Sequence, residues 1–201
     1  MNTKTATIID IKATDRTKYA QATRISWSHI AFVDNTRFLV TTDSHNEFES
    51  NHKLCFVSRP ISSEQKGLNN IFHNELAGEE YYKNVLADVM ARVQDDYIVC
   101  FDAKQTIQIL KHAGVPTDAF NFICMSTVIK KLHPGLGSYT IATLIYEFYQ
   151  NAAIAYMPHN WQRRYDATFM RYIFKQVSIL NNLQSMQDWY ELSTNKELAH
   201  G

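Results

Sequence analysis

The sequence predicts a single α/β domain with a mixed central sheet of about five strands flanked by helices. Short β-branched and aromatic runs fill the first sixty residues, and such runs are typical of strands. After Pro60, apolar residues recur at helical spacing instead. Near residue 100 a short strand leads directly into a helix, an order that is common in α/β proteins.

The strand region contains one carboxylate in an otherwise apolar run. The predicted strands are Ile8–Ile11, Arg24–Val33, Arg37–Thr41 and Leu54–Val57. Asp43–Asn51 is polar, and we expect it to form an exposed loop or a frayed hairpin. An aspartate in a buried strand is costly unless a cation or a donor compensates it. Asp10 is therefore a candidate site residue.

The helical region has clear start and stop signals. Apolar residues follow helical spacing from Glu79 to Val93. Tyr97–Cys100 is a short strand, and Asp102 with Gln105 then forms a capping-box pattern that opens a helix to about His112. Gly114 and Pro116 end that helix. The later predicted helices are Ser126–Leu132, Ser138–Tyr149 and Arg163–Leu180, followed by a polar stretch, residues 181–201, with one short helix.

Composition and cysteine spacing exclude several classes of protein. Twenty basic residues balance twenty acidic ones, so the formal net charge of zero excludes a polybasic, histone-like chain. Cys55, Cys100 and Cys124 are far apart and contain no C-x-x-C pair, which predicts neither a disulfide framework nor a structural zinc site. The N-terminal residues lack an apolar export segment, and no stretch approaches membrane-spanning length. We therefore expect a cytoplasmic protein with no membrane partner.

Four segments in order resemble the DnaQ-like (DEDDh) 3′–5′ exonuclease family. They are Ile8–Asp15 (IIDIKATD), Arg59–Leu76, Tyr97–Leu110 and Trp161–Phe174. Ile123–Thr140 is similar to the corresponding run of the exodeoxyribonuclease X group. The resemblance covers about the whole chain. It implies a ribonuclease-H-like domain over residues 1–180, with residues 181–201 as a C-terminal helix and tail.

The resemblance also implies which residues should hold metal. In that family four carboxylates bind two divalent cations, and a histidine activates the attacking water. Asp10 and Asp166 match two of the metal-ligand positions, whereas Lys12, Thr106 and Trp161 stand where the family has Glu, Asp and His. An ammonium at Lys12 would repel metal ions, and we expect it to lie between the two aspartates and neutralise them. No metal cofactor is therefore expected; Asp10 and Asp166 are the candidate ligands if one binds.

Several other residues are candidates with more than one interpretation. His159 is an alternative general base if the alignment slips by two positions. Trp161 is a candidate platform for a nucleobase or a packed aromatic ring. Arg163 and Arg164 are candidate phosphate contacts, although arginines at the start of a helix are commonly just solvated. His73 is a candidate for substrate contact or for loop structure.

Three functions follow as hypotheses. The first is a catalytically degenerate exonuclease domain that binds a single-stranded nucleic-acid 3′ end or a protein partner. The second is an active Mg²⁺- or Mn²⁺-dependent 3′–5′ DNA exonuclease whose site is rebuilt from Asp10, Asp166 and either Asp15 or Asp102. The third is a protein-interaction scaffold that docks through the C-terminal tail; the tail's apolar residues could equally pack on the domain.

Overall fold

The computed structural model describes residues 5–33, 37–39, 51–156 and 167–194. The strands are β1 (Thr5–Ala13), β2 (Ala22–Val33), β3 (Arg37–Leu39), β4 (Asn51–Leu54), β5 (Tyr97–Cys100) and β6 (Asn121–Cys124). The helices are α1 (Ser63–Asn69), α2 (Tyr82–Ala91), α3 (Ala103–Ala113), α4 (Met125–Leu132), α5 (Ile141–Tyr156), α6 (Ala167–Leu180) and α7 (Met186–Thr194). A short 3₁₀ helix, His73–Leu76, lies between α1 and α2.

The strands form one mixed sheet, which confirms the predicted fold class. The strand order is β3-β2-β1-β5-β6, and β4 pairs with a different stretch of β2. β1 lies antiparallel to β2 and parallel to β5, and β6 is parallel to β5. β1 is therefore the central strand, and it is apolar on both faces because helices cover both sides of the sheet.

The two faces of β1 belong to two apolar layers. Ile9 and Ala13 pack with residues of α2 and α3 on one face. Ala6 and Ile8, on the other face, pack with residues of α4, α5, α6 and α7. Asp10 and Lys12 continue the row of Ala6 and Ile8, because alternate residues of a strand share one face. They therefore lie on the face that α6 covers.

The helix signals near residue 100 are confirmed. The Asp102 carboxylate accepts a hydrogen bond of 3.0 Å from the amide of Gln105 and caps α3. Gly114 ends the helix with φ near +86°, a conformation that glycine adopts without a steric penalty. The Gln105 side chain donates elsewhere, to the backbone carbonyl of Asp15 at 3.4 Å. The cap is therefore present, while Gln105 connects α3 to the loop after β1.

Two predicted boundaries differ because neighbouring backbone competes for the same hydrogen bonds. β4 ends at Leu54, and the predicted strand over Leu54–Val57 is wrong. The Phe56 amide instead donates to Glu80 (2.8 Å), and the Tyr82 amide donates to the Phe56 carbonyl (3.0 Å). This pairing holds Tyr81 in extended backbone, so α2 begins at Tyr82 rather than at Glu79. Most of the predicted polar loop, residues 43–50, lies outside the described residues.

The helices α5 and α6 also differ in extent from the prediction. α5 begins at Ile141 rather than at Ser138, because the Thr140 hydroxyl accepts the amide of Thr143 at 3.2 Å as an N-cap does. It continues to Tyr156. α6 begins, as described, at Ala167. No helix in the described part of the chain is long and apolar enough to cross a membrane.

Candidate functional site

Asp10 and Lys12 form an ion pair on one face of the central strand. Lys12 Nζ donates a hydrogen bond of 3.1 Å to Asp10 Oδ1 and lies 3.0 Å from Oδ2. The exposed fraction of the side chain is 9% for Asp10 and 16% for Lys12. The contact to Oδ2 is ionic only: this buried oxygen accepts no hydrogen bond from the residues that the structure describes. The lysine thus compensates the charge of the buried carboxylate.

The first turn of α6 begins beside this pair. Ser26 of β2 is the register partner of Asp10, and its hydroxyl accepts a hydrogen bond of 3.1 Å from the amide of Ala167. One turn later, Arg171 reaches the hydroxyl of Ser28 at 3.4 Å. These contacts hold the start of α6 over the face of β1 that presents Asp10.

A second buried cation belongs to the same face. Arg24 is the register partner of Lys12 on β2, and only 8% of the residue is exposed. Register partners on neighbouring strands project to the same side of the sheet. The described residues of this face therefore place two positive charges, Lys12 and Arg24, near the single negative charge of Asp10. A β-bulge between Lys12 and Ala13 interrupts the ladder at this point.

Thr106, the residue that the resemblance sets against an aspartate, is a neutral, buried group. Thr106 lies in the first turn of α3, close to the thiol of Cys100. Burial raises the pKa of the Cys100 thiol, and the nearby Cys124 thiol raises it further. Thr106 and Cys100 therefore add no charge beside Asp10.

The two carboxylates named for a rebuilt site are both engaged locally. Asp102 caps α3. Asp15 Oδ1 accepts hydrogen bonds from the amide and the hydroxyl of Thr17, at 2.7 and 2.5 Å. Burial alone would raise the pKa of Asp15, but the hydrogen bonds from Thr17 and Thr14 outweigh it, and the net pKa is lowered. Both groups have a structural role that a metal ligand would have to give up.

The remaining candidates are distributed over other parts of the chain. His73 is exposed and begins the 3₁₀ helix. His159, Trp161, Arg163, Arg164 and Asp166 fall within residues 157–166, outside the described residues. The expected bridge from Lys12 to a second aspartate therefore stays a prediction.

The described side chains do not fit a centre for two divalent cations. Over residues 5–33, 37–39, 51–156 and 167–194, no group of three or more His, Cys, Asp or Glu side chains is placed to hold a metal. Asp10 is one hard oxygen ligand of the kind that Mg²⁺ prefers. The ammonium of Lys12 lies 3.0 Å from it, where it opposes the approach of a cation.

Two buried polar residues near the site were not predicted from the sequence. Arg24 is one, and the arginine at the start of a predicted strand was the available signal. Gln21 is the other: its carbonyl oxygen accepts the amides of Ser58 and Arg59, at 2.9 and 3.1 Å. A glutamine just before a strand carries no pattern that distinguishes it from a solvated residue.

Comparison with solved structures identifies the fold. Exonuclease X in complex with 5′ overhanging duplex DNA superposes with a TM-score of 0.67 at 14% identity, over 94% of this chain and 99% of that one. The chain has the fold of the 3′-exonucleases. A 3′-exonuclease structure, described as showing 3′-end-specific recognition of a histone mRNA stem-loop, gives a TM-score of 0.65 at 9% identity, over 92% and 85% of the two chains.

Other comparisons agree or find nothing. The nuclease domain of a DEDDh family member bound to rAMP gives a TM-score of 0.62 at 9% identity, over 90% of this chain and 94% of that domain. No protein-family model matches the sequence. No curated protein matches it either. At these identities the likeness establishes the exonuclease fold, which confirms the ribonuclease-H-like architecture that the resemblance implied.

Proposed function

We propose that the protein binds single-stranded nucleic-acid ends on an exonuclease fold without two-metal hydrolysis. The observation that carries the proposal is the ion pair between Lys12 and Asp10 at the centre of the sheet. The fold supports a nucleic-acid ligand, because the similar structures include nucleases in complex with nucleic acid. The lysine supports the absence of metal catalysis, because it supplies a fixed positive charge where the family binds cations.

Charge favours an anionic ligand at this position. Lys12 and Arg24 are two basic side chains on the described part of this face, although the chain as a whole is neutral. A phosphate group is the anion that a nucleic-acid end offers, and lysine and arginine are its usual partners. We therefore assign the terminal phosphodiester of a single strand to the surroundings of Lys12.

A binding titration with and without metal tests the proposal. A 5′-fluorescent single-stranded oligonucleotide is titrated at low salt, once in EDTA and once in Mg²⁺, and its length is followed on a denaturing gel. The proposal expects equal affinity in both buffers and an oligonucleotide of unchanged length. Lys12→Glu should weaken binding in EDTA by about 10-fold, since a repulsive charge replaces an attractive one.

Lys53→Glu is the control for Lys12→Glu, and two results would contradict the proposal. Lys53→Glu removes an exposed lysine that pairs with Asp88 on the opposite face of the sheet, and it should leave binding unchanged. Mg²⁺-dependent shortening of the strand, lost in Asp10→Ala, would instead establish an active exonuclease. Absence of binding by the wild-type protein at low salt would favour the scaffold that recognises another protein.

The described part of the C-terminal tail supports the nucleic-acid proposal over docking through the tail. Met186 and Trp189 of α7 are fully buried against the domain. The Lys131 ammonium also donates to the backbone carbonyl of Leu192 at 2.6 Å. These apolar side chains are therefore not exposed for a partner, while residues 195–201 lie outside the described chain.

A further inference from the structure

The loop between β1 and β2 has four exposed residues on a backbone that is held by hydrogen bonds. Residues 16–19 are all exposed. The Thr17 amide and hydroxyl bind Asp15, and the Ala20 amide donates to the Thr17 carbonyl at 3.1 Å. At its base, Thr14 and Gln21 pair through a backbone hydrogen bond of 2.9 Å. The loop therefore has a defined conformation even though its outward side chains are not packed.

An exposed aromatic ring with cations over it lies at the end of this loop. The Tyr19 residue is 50% exposed. Lys18 Nζ is 5.0 Å and Arg59 Cζ is 6.0 Å from the centre of its ring. Arg59 Nη1 also donates to the Tyr19 backbone carbonyl at 3.4 Å, and His112 of α3 lies edge-on to the ring at 6.1 Å. The exposed ring therefore has one edge contact with His112 and two cations over it.

The acidic residues nearby do not saturate the basic ones. Asp15 Oδ2 lies 3.7 Å from Arg59 Nη2, beyond hydrogen-bond distance. Arg16 pairs with Glu64 at 3.5 Å, but both side chains are more than 60% exposed, where ion pairs contribute little. With Lys18, the cluster has three basic residues against two acidic ones. An anionic ligand can therefore replace these weak pairs at small cost.

The cluster adjoins the candidate site. Asp15 follows Lys12 by three residues, beyond the β-bulge at the end of the pairing with β2. The Gln105 side chain ties the Asp15 carbonyl to the first turn of α3, the turn that contains Thr106. A single-stranded nucleic acid whose end lies at Lys12 can therefore continue across this loop.

We propose that Tyr19, Lys18 and Arg59 form a contact for the single strand outside the Lys12 site, where a base stacks on Tyr19 and the two cations bind phosphates. A basic groove with an aromatic platform binds single strands with little sequence preference. This inference rests on the proposed function, since it concerns the same ligand. It adds where the strand runs and which residues bind it.

Titration of a fluorescent oligothymidylate by anisotropy tests the contact. Tyr19→Ala should weaken binding by about 10-fold, and Tyr19→Phe, which keeps the ring, should bind as the wild type does. Lys18→Ala should lower the slope of log affinity against log salt by about 0.7. Circular dichroism and thermal melting check that each variant is folded.

Two control variants and two possible results distinguish failure of the Tyr19 contact from failure of nucleic-acid binding itself. Tyr146 of α5 is 41% exposed and Lys175 of α6 is exposed, and neither belongs to the cluster around Tyr19. Tyr146→Ala and Lys175→Ala should not change affinity. If the wild type binds and Tyr19→Ala binds equally well, the contact is overturned while the proposed function stands. If the wild type does not bind at all, the proposed function itself fails.

Discussion

Lys12 Nζ lies 3.0 Å from Asp10 Oδ2, and Lys53 Nζ lies at the same distance from Asp88 Oδ2. The first pair is buried, with side chains 16% and 9% exposed, whereas the second is more than a third exposed. The attraction of an ion pair depends on the surrounding dielectric, so equal distances should have unequal effects. The two pairs therefore provide an internal comparison.

Removing the lysine from the buried pair should destabilise the fold. Lys12→Met leaves the Asp10 carboxylate buried without its cation, and the free energy of unfolding should fall by about 3 kcal/mol. Asp10→Asn combined with Lys12→Met should recover much of that loss, because no charge then stays buried. Urea unfolding at neutral pH measures both values.

The exposed pair is the control for this experiment. Lys53→Met removes an ammonium at the same distance from a carboxylate in a solvated setting, and it should shift the urea midpoint far less. If Lys12→Met and Lys53→Met shift the urea midpoint equally, the buried Asp10 carboxylate is not stabilised by Lys12 more than an exposed carboxylate is by its lysine.

A buried carboxylate at the other end of β1 should determine part of the acid sensitivity. Asp95 Oδ2 lies 3.0 Å from His29 Nδ1 and accepts the Thr7 hydroxyl at 2.5 Å. Burial alone would raise the pKa of Asp95, but the hydrogen bonds from His29, Thr5 and Thr7 outweigh it, and the net pKa is lowered. A lowered pKa in the folded state means that stability is present at neutral pH and is lost as the pH falls below about 4.

Substitution at this carboxylate tests the expected sign. Asp95→Asn should lower stability at pH 7 and flatten its decline between neutral pH and strongly acidic pH, as followed by urea unfolding at several pH values. Asp118→Asn is the control, because the Asp118 side chain is 98% exposed. An unchanged acid limb in Asp95→Asn would contradict the assignment.

The sequence predicts the elements that are marked by local signals, such as capping residues at fixed offsets. The capping of α3 by Asp102 follows from residue types at fixed offsets. α1 escaped prediction because SEQKGLN has almost no apolar residues. Its inner face buries Gln65 and Asn69, which hydrogen-bond to each other at 3.0 Å. β6 was not predicted because Cys124 both ends the strand and is the N-cap residue of α4, so no loop separates the two elements.

The site was predictable to the extent that it lies on one strand. Asp10 and Lys12 share a face by the two-residue period of β1, which the sequence displays. Arg24 joins them only through the register between β1 and β2, which is unbroken from Thr5 to Lys12. The register between two strands is not encoded in either strand alone, so the second cation required the structure.

The three cysteines should differ in their rate of alkylation. Burial raises the pKa of the Cys55 thiol to about 12, and Cys100 is fully buried with a raised pKa. Burial also acts on Cys124, but the amide of Ala103 and the hydroxyl of Ser126 outweigh it, and the pKa of Cys124 is lowered. Because the thiolate is the nucleophile, Cys124 should react first with iodoacetamide.

Peptide mapping by mass spectrometry after brief alkylation of the native protein measures this order. In denaturant all three thiols should label alike, which is the control for intrinsic reactivity. If Cys55 in the native protein is labelled as fast as Cys124, the burial of Cys55 is contradicted.

The last helix should depend on one tryptophan. Trp189 is fully buried, stacks on Phe174 of α6 with ring centres 4.2 Å apart, and donates from Nε1 to the Ser178 hydroxyl at 2.8 Å. Trp189→Ala should therefore lower the free energy of unfolding by about 3–5 kcal/mol. Ile179→Ala, at a residue of α6 that is 57% exposed, should have little effect. Because no residue of α7 belongs to the proposed contacts at Lys12 or Tyr19, Trp189→Phe should keep the oligonucleotide affinity, and loss of binding in that folded variant would show that the ligand also contacts α7.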